Sequence, residues 1–230
     1  SACARPGCIS PKELIYQASR VGEGAKPGRL SPWAVTLRGG DPGRIEAIRD
    51  SRAGVEDEGS QLCAGILAQA PLKGRDTNWL DMCAGPGGKA ALLGALAAQR
   101  GATLLANEVS HHRTKLVADS VKALPSGVVS LRTGDGRDFG EQESGSYDRI
   151  LLDAPCSGLG SLRRRPESRW RKQESDVAEL ASLQRQLLLS ALNALRSGGV
   201  VAYVTCSPHV LETSLVVKDV LRRFKQASLL

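Results

Sequence analysis

Five short apolar runs, at residues 78–82, 103–106, 128–131, 149–152 and 200–204, are separated by segments whose apolar residues recur at helical spacing. Strands that alternate with helices pair in parallel through crossovers, which predicts an α/β fold with a doubly wound, mainly parallel sheet. The segment 176–196 carries the clearest period: Val177, Leu180, Leu183, Leu187, Leu188, Ala191, Leu192 and Leu195 share one face, and Gly198-Gly199 is expected to end that helix. Other helices are expected from Glu58 past Leu67, over 89–99 and 110–124, and from Val210 to about 225. Near the start, Ser10-Pro11-Lys12-Glu13 reads as a capping box opening a helix over 11–20. A Gly- and Pro-rich stretch, a short strand at 34–38 and the turn Gly39-Gly40-Asp41-Pro42-Gly43 follow. Residues 1–56 are therefore read as a small N-terminal appendage, a helix plus a short strand with no core of its own, and 57–230 as the main domain.

A chain of 230 residues, 41% hydrophobic, suffices for one such domain. It contains no run of eighteen apolar residues and no signal-peptide order at its start, so a cytoplasmic protein without a membrane partner is expected. Cys3, Cys8, Cys63, Cys83, Cys156 and Cys206 show neither C-x-x-C pairs nor histidines at zinc spacing, so no metal is expected. The net charge of +7 is concentrated in one place. Arg163, Arg164, Arg165, Arg169, Arg171 and Lys172 surround Trp170 with Glu167 as their one acid, a composition suited to phosphate contacts and base stacking.

The run at 78–82 leads into Cys83-Ala84-Gly85-Pro86-Gly87-Gly88-Lys89, a glycine-rich strand-to-helix turn that lets a ligand approach backbone N–H groups. Neither the P-loop nor the G-x-G-x-x-G spacing can be laid on it. Glu108, Asp135 and Asp153 each follow a later strand, so a parallel sheet puts the three acids on one rim. Acids that can bind ribose hydroxyls and an exocyclic amine, without a phosphate-binding Lys-Ser/Thr, suit a cationic adenosine ligand such as S-adenosylmethionine. Two strand ends carry cysteines, in Asp153-Ala154-Pro155-Cys156-Ser157-Gly158 and Thr205-Cys206-Ser207-Pro208. Either thiol is a candidate nucleophile.

These motifs, with Val55-Glu56-Asp57-Glu58-Gly59-Ser60-Gln61 ahead of them, resemble the RNA cytosine-5 methyltransferases of the RsmB/Nop2/Sun family, most closely the bacterial Sun (Fmu) type that modifies small-subunit ribosomal RNA. The resemblance spans about 54–221 and implies a Rossmann-like class I methyltransferase with S-adenosyl-L-methionine as cofactor. It implies that Cys83, Ala84, Gly85, Pro86, Gly87, Gly88 and Lys89 cradle the methionine end, Glu108 the ribose and Asp135 the adenine edge, with Asp153 between cofactor and target base. It also implies that Cys206 attacks and that Cys156 helps release the product. Gly85 and Ala90 stand where the family has Ala and Thr, and 208–213 replaces a more acidic stretch in which Glu212 remains. The helical RNA-binding domain of the Sun type, the last strand pair that such folds carry and an initiator Met are not seen, so the chain reads as a C-terminal fragment that stops short of the last strands.

Cytosine carbon 5 is a weak nucleophile, and a thiolate adding at carbon 6 turns the ring into an enamine that can attack a sulfonium methyl. Such a thiolate needs its pKa lowered, and a helix N-terminus near Val210 is expected to do this for Cys206. The expected activity is 5-methylcytosine formation in single-stranded or loop RNA, by a monomer. Transfer RNA as substrate, a DNA cytosine-5 methyltransferase attacking through the Pro-Cys loop, and a non-catalytic RNA-binding ribosome-assembly factor are the alternatives. No residue is identified as the base that removes the carbon 5 proton.

Overall fold

The computed structural model describes residues 1–22, 24–162, 166 and 173–230. Strands β1 (Ala2–Ala4), β2 (Ala25–Pro27), β3 (Ala34–Leu37) and β4 (Ala53–Val55) form an antiparallel sheet in the order β2-β3-β1-β4. The expected helix is present at Pro11–Arg20, capped by the Ser10 hydroxyl, which accepts from the Glu13 N–H. Residues 1–56 do, however, gather a core of their own. Ala2, Ala4, Leu14, Ala18, Val35 and Ile45 pack together, where the sequence suggests one strand and no core. Three-residue strands are too short to show alternation. β1 is buried on both faces, with Cys3 turned toward Leu67 and Trp79 of the main domain.

Each of the five apolar runs becomes a strand: β5 (Asn78–Asp81), β6 (Thr103–Glu108), β7 (Val129–Thr133), β8 (Tyr147–Asp153) and β9 (Leu195–Val204). All pair in parallel, in the order β7-β6-β5-β8-β9. This order reverses direction between β5 and β8, and ligands of open α/β sheets bind at such a switch point, beyond the strands' carboxyl ends. Trp79, Leu92, Leu93, Leu104 and Leu151 fill one side of the sheet, while Leu80, Ile150, Leu152 and Leu188 fill the other.

Two elements depart from expectation. The helix Glu174–Ala194 stops before Leu195, and β9 begins there, opposite Tyr147, with Gly198-Gly199 inside the strand. Asp148 is fully buried, and Arg196 reaches it at 2.5 Å only from extended backbone. The final helix is Ser214–Arg223, preceded by a 3-10 turn at Val210–Glu212, because the Glu212 side chain is drawn back toward the cysteine loops. Among the described residues no helix is long and apolar enough to cross a membrane.

Candidate active site

β5 ends on Asp81, and the Met82 N–H still pairs with Leu151 O of β8 at 2.9 Å before the chain turns away. The turn is tied to β6: Ala84 N–H donates to Asn107 O at 2.8 Å, and Gly85 N–H to Glu108 Oε2 at 3.0 Å. A Cβ at Gly85 would run into Glu108 Oε2 and Arg113, so glycine is what lets that carboxylate lie against the loop. Gly87 has φ +110°, and a Cβ there would lie 2.9 Å from the Val117 backbone. The helix Gly88–Gln99 starts immediately after it with no side-chain cap, leaving first-turn N–H groups for a ligand.

The acids differ from one another. Glu108 is buried and also accepts from Ser110 N–H at 3.1 Å, with Arg113 3.5 Å away. Asp135 caps the short turn Gly136–Asp138 and pairs with Arg137, whose hydrogen bonds hold its carboxyl below the usual range. Asp153 Oδ2 lies 2.8 Å from Lys89 Nζ, so the glycine loop and the end of β8 are joined by an ion pair. Burial opposes the Lys89 charge, but Asp153, Glu56 and Asp81 together outweigh it and raise that ammonium's pKa. Cys83 and Ala84 turn into the core, and burial pushes the Cys83 thiol up, so these two offer backbone to the cleft. Pro86 is exposed, its carbonyl accepting from Ser120.

Three buried groups here have no role assigned from the sequence, although Asp81 opens the glycine-rich motif 81–89 and Glu56 lies in the motif 55–61. Among the described residues both Asp81 carboxylate oxygens are buried without a hydrogen-bond partner, as are Glu56 Oε1 and Asn107 Oδ1. Burial, reinforced by Asp153, pushes Asp81 up to about 8, and burial pushes Glu56 up to about 7. An acid closing the apolar run Trp79-Leu80-Asp81 is the signal that marks Asp81. Unpartnered carboxylates beside a glycine cradle and an open helix N-terminus are what a ligand with a positive charge and a carboxylate would satisfy, and the residues present therefore fit S-adenosylmethionine.

The cysteine loops leave neighbouring strands. Ala154 N–H pairs with Val204 O, and Gly160 N–H donates to Cys206 O, each at 2.9 Å. A Cβ at Gly160 would lie 2.6 Å from that carbonyl, so the approach needs glycine. The result is a Cys156 Sγ–Cys206 Sγ distance of 3.1 Å, with Cys206 exposed and Cys156 partly buried. The hydrogen bond between the two thiols, helped by Thr205, lowers Cys156 to about 6, while the same bond raises Cys206. The expected lowering of Cys206 by a helix N-terminus is thus overturned: the nearest helix starts only at Ser214, and the shared proton sets the acidity. His209 Nδ1 accepts from Leu211 N–H, a local capping role. The Asp153 charge is close enough to raise the pKa of both Cys206 and Asp81.

Cys3, Cys8 and Cys63 are free thiols, and among the described residues no His, Cys, Asp and Glu converge as metal ligands. Arg163, Arg164, Arg165, Arg169, Trp170, Arg171 and Lys172 lie outside the described residues.

A parallel sheet with a glycine cradle and an acidic rim at its switch point defines a Rossmann-like, S-adenosylmethionine-dependent methyltransferase fold. The profile of the 16S rRNA methyltransferase RsmB/F family matches residues 69–230, and the chain belongs to that family. It is 53% identical over 220 residues to Rv1407 of Mycobacterium tuberculosis, covering 96% of this chain and 46% of that protein. It is 40% identical over 205 residues to ribosomal RNA small subunit methyltransferase B of Escherichia coli, covering 86% and 45% respectively. The chain thus spans about half the length of these curated relatives. The structure of NSun6 from Pyrococcus horikoshii with SFG, an S-adenosylmethionine analogue, superposes with a TM-score of 0.70 at 26% identity, over 83% of this chain and 49% of that one.

Proposed function

We propose that this chain is the catalytic part of an RNA (cytosine-5)-methyltransferase acting on small-subunit ribosomal RNA through a covalent cysteine–cytosine adduct. The observation that carries the reading is the pair of thiols 3.1 Å apart at the ends of neighbouring strands, beside Asp153 and the glycine cradle. An amine or oxygen methyltransferase has no use for two juxtaposed thiols, whereas carbon 5 methylation needs one to add and one group to assist its departure.

Cys83 to Lys89, with Asp81 and Glu108, would hold S-adenosylmethionine, which supplies an electrophilic methyl group on sulfur. With Cys156 lowered and Cys206 raised, the pair would carry one proton between its sulfurs at neutral pH. Moving it from Cys206 to Cys156 leaves the exposed Cys206 as the thiolate that adds to carbon 6, with no proton taken from solvent. The protonated Cys156 can return its proton once Cys206 leaves. Lys89 engages Asp153 Oδ2, and Oδ1 is then the acceptor for the exocyclic amine of cytosine. Residues 1–56 and the basic segment 163–172 are proposed to lie on the RNA side.

The low pKa of Cys156 supports a second reading, in which Cys156 attacks and Cys206 assists. Labelled methyl transfer to total RNA, followed by mapping of the modified base, tests the proposal. 5-Methylcytosine in small-subunit ribosomal RNA is the expected product. Label in transfer RNA would redirect the substrate, and cofactor binding without transfer to any RNA would sink the enzymatic reading.

A further inference from the structure

We infer that Glu212 is a positioning residue that holds the two thiols together by binding the serine that follows each of them. Glu212 is fully buried on the turn between the Cys206 loop and the last helix. Its Oε2 accepts from the hydroxyls of both Ser157 and Ser207, each at 2.5 Å, and its Oε1 accepts from Ser157 N–H at 2.7 Å. One carboxylate therefore spans the Cys156-Ser157 and Cys206-Ser207 steps.

The tie extends into the helix Glu174–Ala194. Gln184 Nε2 donates to Glu212 Oε1 at 3.1 Å and to the carbonyl of Pro155, the residue before Cys156, at 2.8 Å. The Tyr203 hydroxyl of β9 lies 2.8 Å from Glu212 O and 3.1 Å from Gln184 Oε1. Burial opposes the Glu212 charge, yet the bonds from Ser157 and Ser207 hold its pKa below the ordinary carboxylate range. A buried charge is a poor way to add stability alone, because apolar packing of the same volume does as well. What a carboxylate adds is acceptor capacity at two oxygens, enough to bind both loops at once. The second residues of two loops are thereby fixed to one point, and the thiols one residue earlier are left facing each other.

The inference rests on the reading that these thiols carry the reaction, but its test requires no RNA. The intact chain is equilibrated with reduced and oxidised glutathione. Two electrons and the two thiol protons pass to glutathione disulfide, whose S–S bond breaks to give two glutathione thiols as the Cys156–Cys206 bond forms. The equilibrium constant reads how closely the sulfurs are held. Glu212→Gln preserves size but offers one acceptor oxygen in place of two, and Ser157→Ala and Ser207→Ala each remove one hydroxyl. Each variant is expected to lower that constant, Glu212→Gln by about tenfold or more, with S-adenosylmethionine affinity unchanged. If all three variants keep the wild-type constant and change only the melting temperature, Glu212 merely supports the fold and the inference is overturned. Failure of methyl transfer by the wild type would remove the proposed function while leaving this measurement readable.

Discussion

Cys156 Sγ and Cys206 Sγ lie 3.1 Å apart, although fifty residues of chain separate them. The two therefore titrate as a unit, and the first proton is lost far below the ordinary thiol range. Cys156, lowered to about 6 by its hydrogen bond with Cys206, should be alkylated by iodoacetamide at a rate that rises through that pH. Cys206→Ala removes that bond, so the rise should move up toward the unperturbed value of about 8.5. Alkylation profiles that coincide in wild type and variant would show that the sulfurs do not share a proton.

The proposed division of labour is resolved by single substitutions. Cys206→Ala should abolish methyl transfer and form no covalent RNA complex, whereas Cys156→Ala should add to the base and accumulate that complex on a denaturing gel. The opposite pattern would transfer the nucleophile to Cys156.

Asp81 has a folded-state pKa raised from 3.8 to about 8 by burial and by Asp153. For a raised acid, the stabilising contribution is full below the unfolded value and is lost as pH rises to the folded one. The cofactor-free wild type should lose stability relative to Asp81→Asn between pH about 4 and 8, by at most about 1.4 kcal/mol per pH unit. The same variant should bind S-adenosylmethionine more weakly, as a carboxylate facing a cation is removed. Parallel stability–pH curves from urea titrations would refute the assignment.

Trp79 is fully buried on β5, with Nε1 donating to Asp76 at 2.7 Å and the Arg149 guanidinium 5.4 Å from its ring. Trp79→Ala should lower unfolding free energy by about 3–5 kcal/mol in denaturant titrations. A cost under 1 kcal/mol would mean that the sheet is not packed as described.

Replacement of Arg163, Arg164 and Arg165 by Ser should weaken RNA binding at low salt. If each neutralises a phosphate, the slope of log affinity against log salt should become shallower by about 0.7 for every arginine replaced. An unchanged slope would place the RNA elsewhere.

The parallel sheet, the glycine turn and the acids at strand ends were legible because each is a local pattern. A run of four or five apolar residues, a helical period or a glycine cluster constrains only its own neighbourhood, and the five strands and the helix Gly88–Gln99 form where those patterns lie. The N-terminal sheet was not legible, since β1, β2 and β4 have three residues each, too few to show a period, and β1 gains its burial from the helix Pro11–Arg20 and from Leu67 and Trp79 of the main domain. The ends of two helices were misplaced for a related reason: Arg196 and Glu212 answer to Asp148 and to Ser157, partners that lie 48 and 55 residues away.

By itself, then, the sequence determined the layer architecture, the rim beyond the strands' carboxyl ends and the two cysteines on it. Only the tertiary structure decided that those cysteines touch, that the bond between them sets their acidity, and that Asp81 is left without a hydrogen-bond partner among the described residues. Strand order and hydrogen bonds between distant loops are set by packing the whole sheet, and the pKa of a group follows from what that packing brings beside it.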